Sequence, residues 1–275
     1  MKNAYATLAE YKAFVTSRGQ VASNSGLDDD VIEDLLVSAS RHYDRQTGRK
    51  FYPSVYTRSY DTPEGRTLEL DFDLLEVISV TNGAGASITE ADYLYEPKNI
   101  YPKRAIKLKE TSSAIWDYDE TDGIENAISI VAVGGYHPDY DDAWEAVTTL
   151  GASLSNSALT PTVALSASLQ PGNLVMIDYE IMAVDSIATG TFTTAKRGDN
   201  GSTAASHSNG ATVYVWRPMD ELKQTVLEHA HRSYKRRFGQ SINDAQTVTA
   251  AGVVLMPQDE PSIGREFITT HRRRV

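Results

Sequence analysis

The chain has 275 residues, of which 41% are hydrophobic and 23% are charged, a composition typical of a folded protein with one large or two smaller domains. It has no cysteine, which excludes a disulfide scaffold, a cysteine metal cluster and a cysteine nucleophile. Its net charge of −11 excludes a uniformly basic nucleic-acid binder. The charge is uneven, because residues 1–216 hold 16 basic and 30 acidic side chains, whereas residues 217–275 hold 10 basic and 7 acidic ones. This pattern indicates an acidic body with a mildly basic end.

Two helices are predicted at the start of the chain. The first begins at Thr7, because Thr7 and Glu10 have the spacing of a capping box, and it ends near Gly19. The second follows three aspartates at positions 28–30, whose charge suits a helix N-terminus, and ends at Gly48. We interpret the aspartates as a cap rather than a metal site, since adjacent helical positions do not converge on one point.

An antiparallel β meander is predicted next, because short β-branched and aromatic runs alternate with turn residues and no helix-length segment separates them. The predicted strands are Val55–Tyr60, Thr67–Leu70, Glu76–Val80, Tyr93–Glu96, Ala105–Lys109 and Ala127–Val133. A short helix is predicted over Asp141–Val147.

Residues 151–217 are predicted to form a separate β module, a small barrel or sandwich of about five strands. Its main predicted strands are Leu174–Asp178, Tyr179–Ser186, Thr191–Lys196 and Ala211–Trp216. The predicted fold class is therefore α+β, with a helical core, an antiparallel meander and this inserted module.

A closing helix is predicted from Pro218 to Phe238, because proline suits the first helical position and Gly239 suits the exit. Residues 241–275 are predicted to be an extended tail that needs a partner to order it, since they hold one short apolar run among glycines and prolines. The predicted organisation is residues 1–150 for the helix pair and meander, 151–217 for the module, 218–240 for the closing helix and 241–275 for the tail.

A search for catalytic motifs finds no phosphate-binding loop, dinucleotide fingerprint or zinc-protease motif. The acidic turn after His137 imitates a metal site, but a calcium loop needs further ligands at fixed spacing. His207, between two serines and in a loop near Asp199, would permit a Ser/His/Asp triad, but no nucleophile elbow accompanies it. We therefore predict no enzymatic activity, no cofactor and no metal.

Four segments of the chain together resemble the head–tail connector proteins of tailed bacteriophages, also called head completion or adaptor proteins. They read TLAEYKAFV, DDDVIEDLLVSASRHYDRQTGRKFYP, AISIVAVGGYHP and PMDELKQTVLEHAHRSYKRRFG. The inserted region resembles a β module of phage structural proteins, with an I-D-x-E strand pair and an R-G-x-x-G-(S/T)-x-A-x-x-H-x-x-G hairpin. In this chain the hairpin holds Arg197, Gly198, Gly201 and His207, which we interpret as structural. The module makes the chain larger than minimal connectors, and nothing after Gln240 matches.

The resemblance implies a virion structural protein at the head–tail junction, made in the host cytoplasm. It implies a homo-oligomeric ring, expected to be a dodecamer, that docks on the portal protein, meets a tail completion or stopper protein, and lets double-stranded DNA pass without sequence-specific binding. An acidic body suits such a DNA channel, because it repels phosphates. We expect no membrane association, since no run of about 18 apolar residues is present.

Two segments are candidate docking elements. The tail is predicted to bind the portal by adding a strand to a partner sheet and by arginine pairing with acidic groups, or alternatively with DNA. Its residues are Val253, Val254, Leu255, Met256, Arg265, Arg272, Arg273 and Arg274. The second element is the end of the closing helix, with Tyr234, Lys235, Arg236 and Arg237. We expect truncation after Gln240 to abolish portal binding and leave the body folded.

Two other functions stay open. A tail or baseplate protein, or a carbohydrate-binding protein of the virion, would use Tyr179, Tyr214 and Trp216 as stacking aromatics, although Tyr214 and Trp216 alternate with valines and one face must be buried. A hydrolase would use Asp178 and Glu180, which are two apart on a predicted strand.

Overall fold

The computed structural model describes residues 3–18, 26–121, 123–238, 247–248, 254–255 and 262–273. Within these ranges the chain has four α-helices and antiparallel sheets, which confirms the α+β class. No helix in these ranges combines the length and apolar character needed to cross a bilayer.

The helices are α1 (Leu8–Ser17), α2 (Gly26–Thr47), α3 (Asp220–Arg237) and α4 (Ser262–His271). The capping box of α1 is confirmed, because the Glu10 amide donates to the Thr7 hydroxyl at 3.2 Å and the Thr7 amide donates to the Glu10 carboxylate at 2.8 Å. Gly48 follows α2 with φ 68°, a left-handed conformation that suits glycine after a helix. These local signals identify the start of α1 and the end of α2. The predicted start of α2 is too late, because the aspartates at 28–30 lie inside the helix, which begins at Gly26.

Helix α4 corrects the prediction of an extended tail. Its Phe267 is fully buried in the apolar core that α1, α2 and α3 also build. The Phe267 ring lies 5.9 Å from the Tyr43 ring and 5.3 Å from the Phe51 ring, centroid to centroid. The prediction failed because ten residues with few apolar positions give a weak helical pattern, and α2 and α3 supply the missing stabilisation. Removing the tail would also remove part of the helical core.

The first sheet contains β1 (Ser54–Tyr60), β2 (Thr67–Thr81), β3 (Ser87–Ile88), β4 (Tyr93–Glu96), β5 (Lys103–Leu108) and β6 (Ile128–Gly134). All its pairs are antiparallel, but its order is β1-β6-β2-β5-β4, with β3 beside β2. The predicted meander is wrong, because β6 returns to lie between β1 and β2. The predicted strands Thr67–Leu70 and Glu76–Val80 are parts of the single strand β2. The residues between them belong to β2 as well, and its register with β5 and β6 shifts there.

The second sheet has the order β7-β12-β8-β9 and is open at both edges. Its strands are β7 (Trp144–Thr149), β8 (Leu174–Ile177), β9 (Glu180–Ala183) and β12 (Thr212–Trp216), while β10 (Ser186–Ala188) and β11 (Thr191–Thr193) form a separate hairpin. The described residues thus form no closed barrel. The helix predicted over Asp141–Val147 is wrong, because pairing with β12 overrides the local helical tendency. The second sheet therefore begins before residue 151.

The two sheets share an apolar contact. Leu75 and Val133 of the first sheet pack with Leu174, Ile181 and Trp216 of the second. The remaining strands, β13 (Thr247–Val248) and β14 (Val254–Leu255), pair with each other.

The buried His231 of α3 gives the helical core a pH dependence. Its Nδ1 lies 3.1 Å from the Tyr11 hydroxyl, and burial, followed by the charges of Lys235 and Arg18, lowers its pKa from 6.5 to about 4. Because the folded-state pKa is lower than the unfolded one, this contribution to stability is present above pH 6.5 and is lost as the pH falls towards 4.

We expect the wild type to lose about 1–2 kcal/mol more stability than His231→Gln between pH 7 and pH 4.5, after allowance for solvent screening. Urea unfolding of both proteins at the two pH values measures this difference. Equal losses would mean that His231 is solvated in the folded protein.

Candidate functional site

The inserted module brings four polar side chains together in what we call the Glu180 cluster, formed by Asp178, Glu180, Arg197 and His207. Asp178 lies in the turn between β8 and β9 with φ 52°, and Glu180 is the first residue of β9. The two carboxylates are therefore separated by a turn rather than carried on one strand face. His207 lies between them, with Nδ1 2.7 Å from Asp178 Oδ2 and Nε2 2.8 Å from Glu180 Oε2.

The Glu180 carboxylate is completely buried and fully hydrogen-bonded. Arg197 donates Nε and Nη2 to its two oxygens, each at 2.7 Å, and the amides of Gly198 and Ala205 donate at 3.0 Å. Burial opposes ionisation of Glu180, but these bonds and the one from His207 outweigh it and lower the pKa of the carboxyl. Glu180 therefore has no oxygen free for a substrate and its carboxylate holds the hairpin together, whereas the Asp178 side chain is 70% exposed.

The same hairpin docks the module on the first sheet. A Cβ at Gly201, where φ is 81°, would lie 2.3 Å from the Val55 carbonyl oxygen of β1. Beside it, the Asn200 amide donates to the Pro53 carbonyl at 3.0 Å and exchanges hydrogen bonds with Asn3 at 2.9 and 3.0 Å. The glycine is needed because no other residue allows this approach of the two backbones.

A second feature is a cavity of about 480 Å³ at the C-terminal end of α2, which we call the basic cavity. Six basic side chains line it: Arg41, Arg45, Arg49, Lys50, Arg58 and Arg273. Three acidic ones, Asp44, Asp71 and Asp73, and the aromatic Tyr52, Tyr56 and Phe72 complete its polar and aromatic wall. Its size falls in the usual range for ligand sites.

A buried ion pair forms the floor of the basic cavity. Arg49 Nη1 lies 2.5 Å from Asp73 Oδ2, and both side chains are 6% exposed. Arg49 also donates Nε to the His271 carbonyl at 2.7 Å, and its guanidinium lies 4.4 Å from the centre of the Tyr136 ring. The other carboxylate oxygen of Asp73 is buried without a hydrogen-bond partner.

The rim of the basic cavity has three basic side chains, Arg45, Lys50 and Arg58, that make few close contacts with carboxylates. Lys50 is exposed and donates to the Tyr56 hydroxyl at 3.1 Å, a bond that raises its pKa. Arg58 lies 3.6 Å from Asp71, and Arg45 is exposed. The Tyr56 ring lies under both Lys50 and Arg58, each 5.4 Å from its centre. The face of the Tyr56 ring thus helps to hold Lys50 and Arg58 at the rim, and the Asp71 carboxylate paired with Arg58 is itself 58% exposed.

Asp44 makes the charge of the basic cavity depend on pH. Burial raises the pKa of this carboxyl to about 6, although Arg41 and the Tyr5 hydroxyl, which donates at 2.5 Å, partly offset the effect. As the pH falls through 6, Asp44 takes up a proton and the cavity becomes more positive.

The structure distributes the predicted tail residues over different places. Arg273 is held by the body, because its amide donates to the Thr47 carbonyl at 2.8 Å and its Nη2 donates to the Asp71 carbonyl at 2.7 Å. Arg265 and Arg272 are exposed. Val254 and Leu255 form β14, whose backbone pairs with β13 of the same chain. Val253, Met256 and Arg274 lie outside the described residues.

The end of α3 lies outside the wall of the basic cavity. Tyr234 is half-buried, and its ring lies 4.7 Å from Phe238 and 6.5 Å from Tyr11. Lys235 is half-buried, and Arg236 and Arg237 are exposed.

The basic cavity was not predicted from the sequence. A usable signal was present, because Arg41 and Arg45 are four residues apart and share a face of α2, and Arg49 follows two residues after this helix ends. Arg58, Asp71 and Arg273 come from other segments of the chain, so no local sequence pattern indicates that they line the same cavity as the arginines of α2.

Other sequence candidates lie in structural positions. Trp216 is 4% exposed, donates to the Phe51 carbonyl at 3.2 Å and packs edge-on against His137. Tyr179 donates its hydroxyl to Glu76 at 2.7 Å. Within the described ranges, no group of three or more histidine and carboxylate side chains could hold a metal ion.

Comparison with known proteins gives no further assignment: neither a family model nor a curated protein matches the chain. Its function must therefore be argued from the geometry and from the resemblance of the quoted segments.

Proposed function

We propose that the chain is a structural head–tail connector of a tailed phage, a ring-forming adaptor that docks on the portal and extends the DNA channel. The main observation behind the proposal is that the segments that resemble this family, although far apart in sequence, pack against one another in the fold. Helices α1 and α2 pack on α3 around one apolar core, although more than 170 positions separate α2 from α3. Tyr136, at the Gly-Tyr end of β6, packs against this core through Phe51, with ring centres 5.5 Å apart.

Two further features support a structural protein. Of the two carboxylates that a hydrolase would use, Glu180 is buried and both of its oxygens accept hydrogen bonds from Arg197. Trp216, which a carbohydrate-binding module would use for stacking, is in the core. Exposed Arg265 and Arg272 remain candidates for docking on the portal, whereas Arg273 is engaged by the body.

Co-expression with the portal protein of the same viral genome tests the proposal. We expect the chain to co-purify with the portal and to add a ring of density that electron microscopy detects beyond the portal alone. A variant with Arg265→Glu and Arg272→Glu should co-purify at least about tenfold less, whereas Lys98→Glu with Lys107→Glu, a change of equal charge elsewhere, should co-purify like wild type.

Antibody labelling of virions separates this function from its main alternative. A connector is labelled at the neck between head and tail. Labelling at the tail tip would replace the proposal with a baseplate function, and particles without label would overturn both.

A further inference from the structure

The basic cavity has a charge opposite to that of the protein. Six basic and three acidic side chains line it, whereas the whole chain carries −11. Copies of such a chain repel each other at long range, and a positive surface that meets a negative one offsets this repulsion. The cavity is a positive surface of this kind, and Lys50 and Arg45 stand exposed at its rim.

The carboxylates in the wall of the basic cavity determine which class of ligand fits it, a nucleic acid or a protein surface. A duplex DNA backbone presents only acceptors and negative charge, so Asp71 and Asp73 would repel it. An acidic protein surface brings side-chain carboxylates for the arginines and, unlike a phosphate backbone, can also bring N–H and O–H donors for the wall carboxylates. The unpartnered oxygen of Asp73 adds an acceptor to the floor. The mixed charge of the wall therefore favours a peptide over a nucleic acid.

The same helix that ends at the basic cavity carries exposed acidic side chains in its second and third turns. Asp30 and Asp34 are exposed, and because they are four residues apart they share one face of α2. Arg45 is 15 positions further on, which at 1.5 Å per residue places the opposite charges roughly 20 Å apart along α2. One copy thus carries an acidic and a basic surface at separate ends of one rigid element.

We propose that the basic cavity of one copy binds the Asp30 and Asp34 carboxylates of a second copy. This contact joins different surfaces of the two chains, so it is heterologous and can repeat head to tail until a ring closes. The inference rests on the proposed connector function, because it names the contact through which the ring is built. Lys50 and Arg45 pair with the incoming carboxylates at the rim.

A charge-swap experiment tests the contact. The cavity variant carries Arg45→Glu and Lys50→Glu, and the helix-start variant carries Asp30→Lys and Asp34→Lys. In sedimentation velocity at low salt, we expect wild type to self-associate and each variant to lose at least about tenfold in association constant. An equimolar mixture of the two variants should associate again, because each basic surface then meets an acidic one.

The control is the variant with Lys98→Glu and Lys107→Glu, which changes the charge equally at side chains outside the cavity wall. It should associate like wild type, and an equal loss would show general repulsion and overturn the proposal. A mixture that does not recover, or a wild type that stays monomeric at its highest soluble concentration, would also overturn it.

A short DNA duplex provides the last comparison. Binding of the duplex by wild type, lost in the cavity variant, would make the cavity a phosphate site and overturn the peptide contact. Capture by the portal is measured separately, so a failed contact between copies is distinguishable from a failed connector function.

Discussion

Replacing Phe267 with alanine should lower the free energy of unfolding by about 3–5 kcal/mol, the cost of emptying a buried aromatic site. The side chain is fully buried, and its ring stacks on His271 with centres 4.3 Å apart while Tyr43 and Phe51 enclose its other sides. These partners belong to three different segments, so the cavity cannot collapse by moving one of them. Urea or guanidinium unfolding of the two proteins measures the difference.

Thr270→Ala is the matched control, because Thr270 lies exposed on the same helix. Its effect should stay within about 0.5 kcal/mol, as for most surface substitutions. If Phe267→Ala behaves like the control, α4 does not pack in the core in solution and an extended tail becomes the correct description. If it is destabilised as expected, truncation after Gln240 should destabilise the body as well, since it removes Phe267 entirely.

Replacing Glu180 with glutamine should cost about 3–5 kcal/mol, the range for breaking a buried ion pair from one side. Glutamine has nearly the same size, but it leaves the Arg197 guanidinium, 5% exposed, without its counter-charge. Its NH2 group also replaces one of the two acceptor oxygens, so that either the Gly198 amide or the Ala205 amide then faces a donor. The measurement is again the free energy of unfolding.

Asp178→Asn tests whether the effect depends on burial. Asp178 contacts the same His207, but its side chain is 70% exposed and asparagine tolerates its left-handed backbone. We expect a loss below about 1 kcal/mol, because exposed pairs contribute little. Similar losses in the two variants would contradict the view that the buried pair ties the hairpin.

The capping box of α1 and most strands could be predicted because their causes are local. Thr7 and Glu10 are three positions apart and can cap a helix in any context, and β4 was predicted with its observed bounds, Tyr93–Glu96. The hairpin motif was interpreted as structural, and in the fold Glu180 accepts hydrogen bonds from Arg197, Ala205 and His207.

The errors have one physical origin, which is pairing between segments far apart in sequence. β7 became a strand because β12, more than 60 positions later, pairs with it. The predicted meander is wrong because the order of strands depends on which strands β6 pairs with, and its own residues do not specify those partners. The basic cavity likewise needs Arg49 and Arg273 side by side, and they are separated by more than 200 positions.

By itself, the sequence determined the capping box of α1, the glycine that ends α2, the positions of most strands, the α+β class and the acidic charge of the body, since these depend on neighbouring residues and on composition. Only the tertiary structure decided that 262–271 forms a helix, that β6 lies between β1 and β2, and that basic side chains from three distant segments share one cavity. Burial of Phe267 and strand pairing stabilise conformations that the local residues favour only weakly, and such long-range contacts exist only in the folded chain.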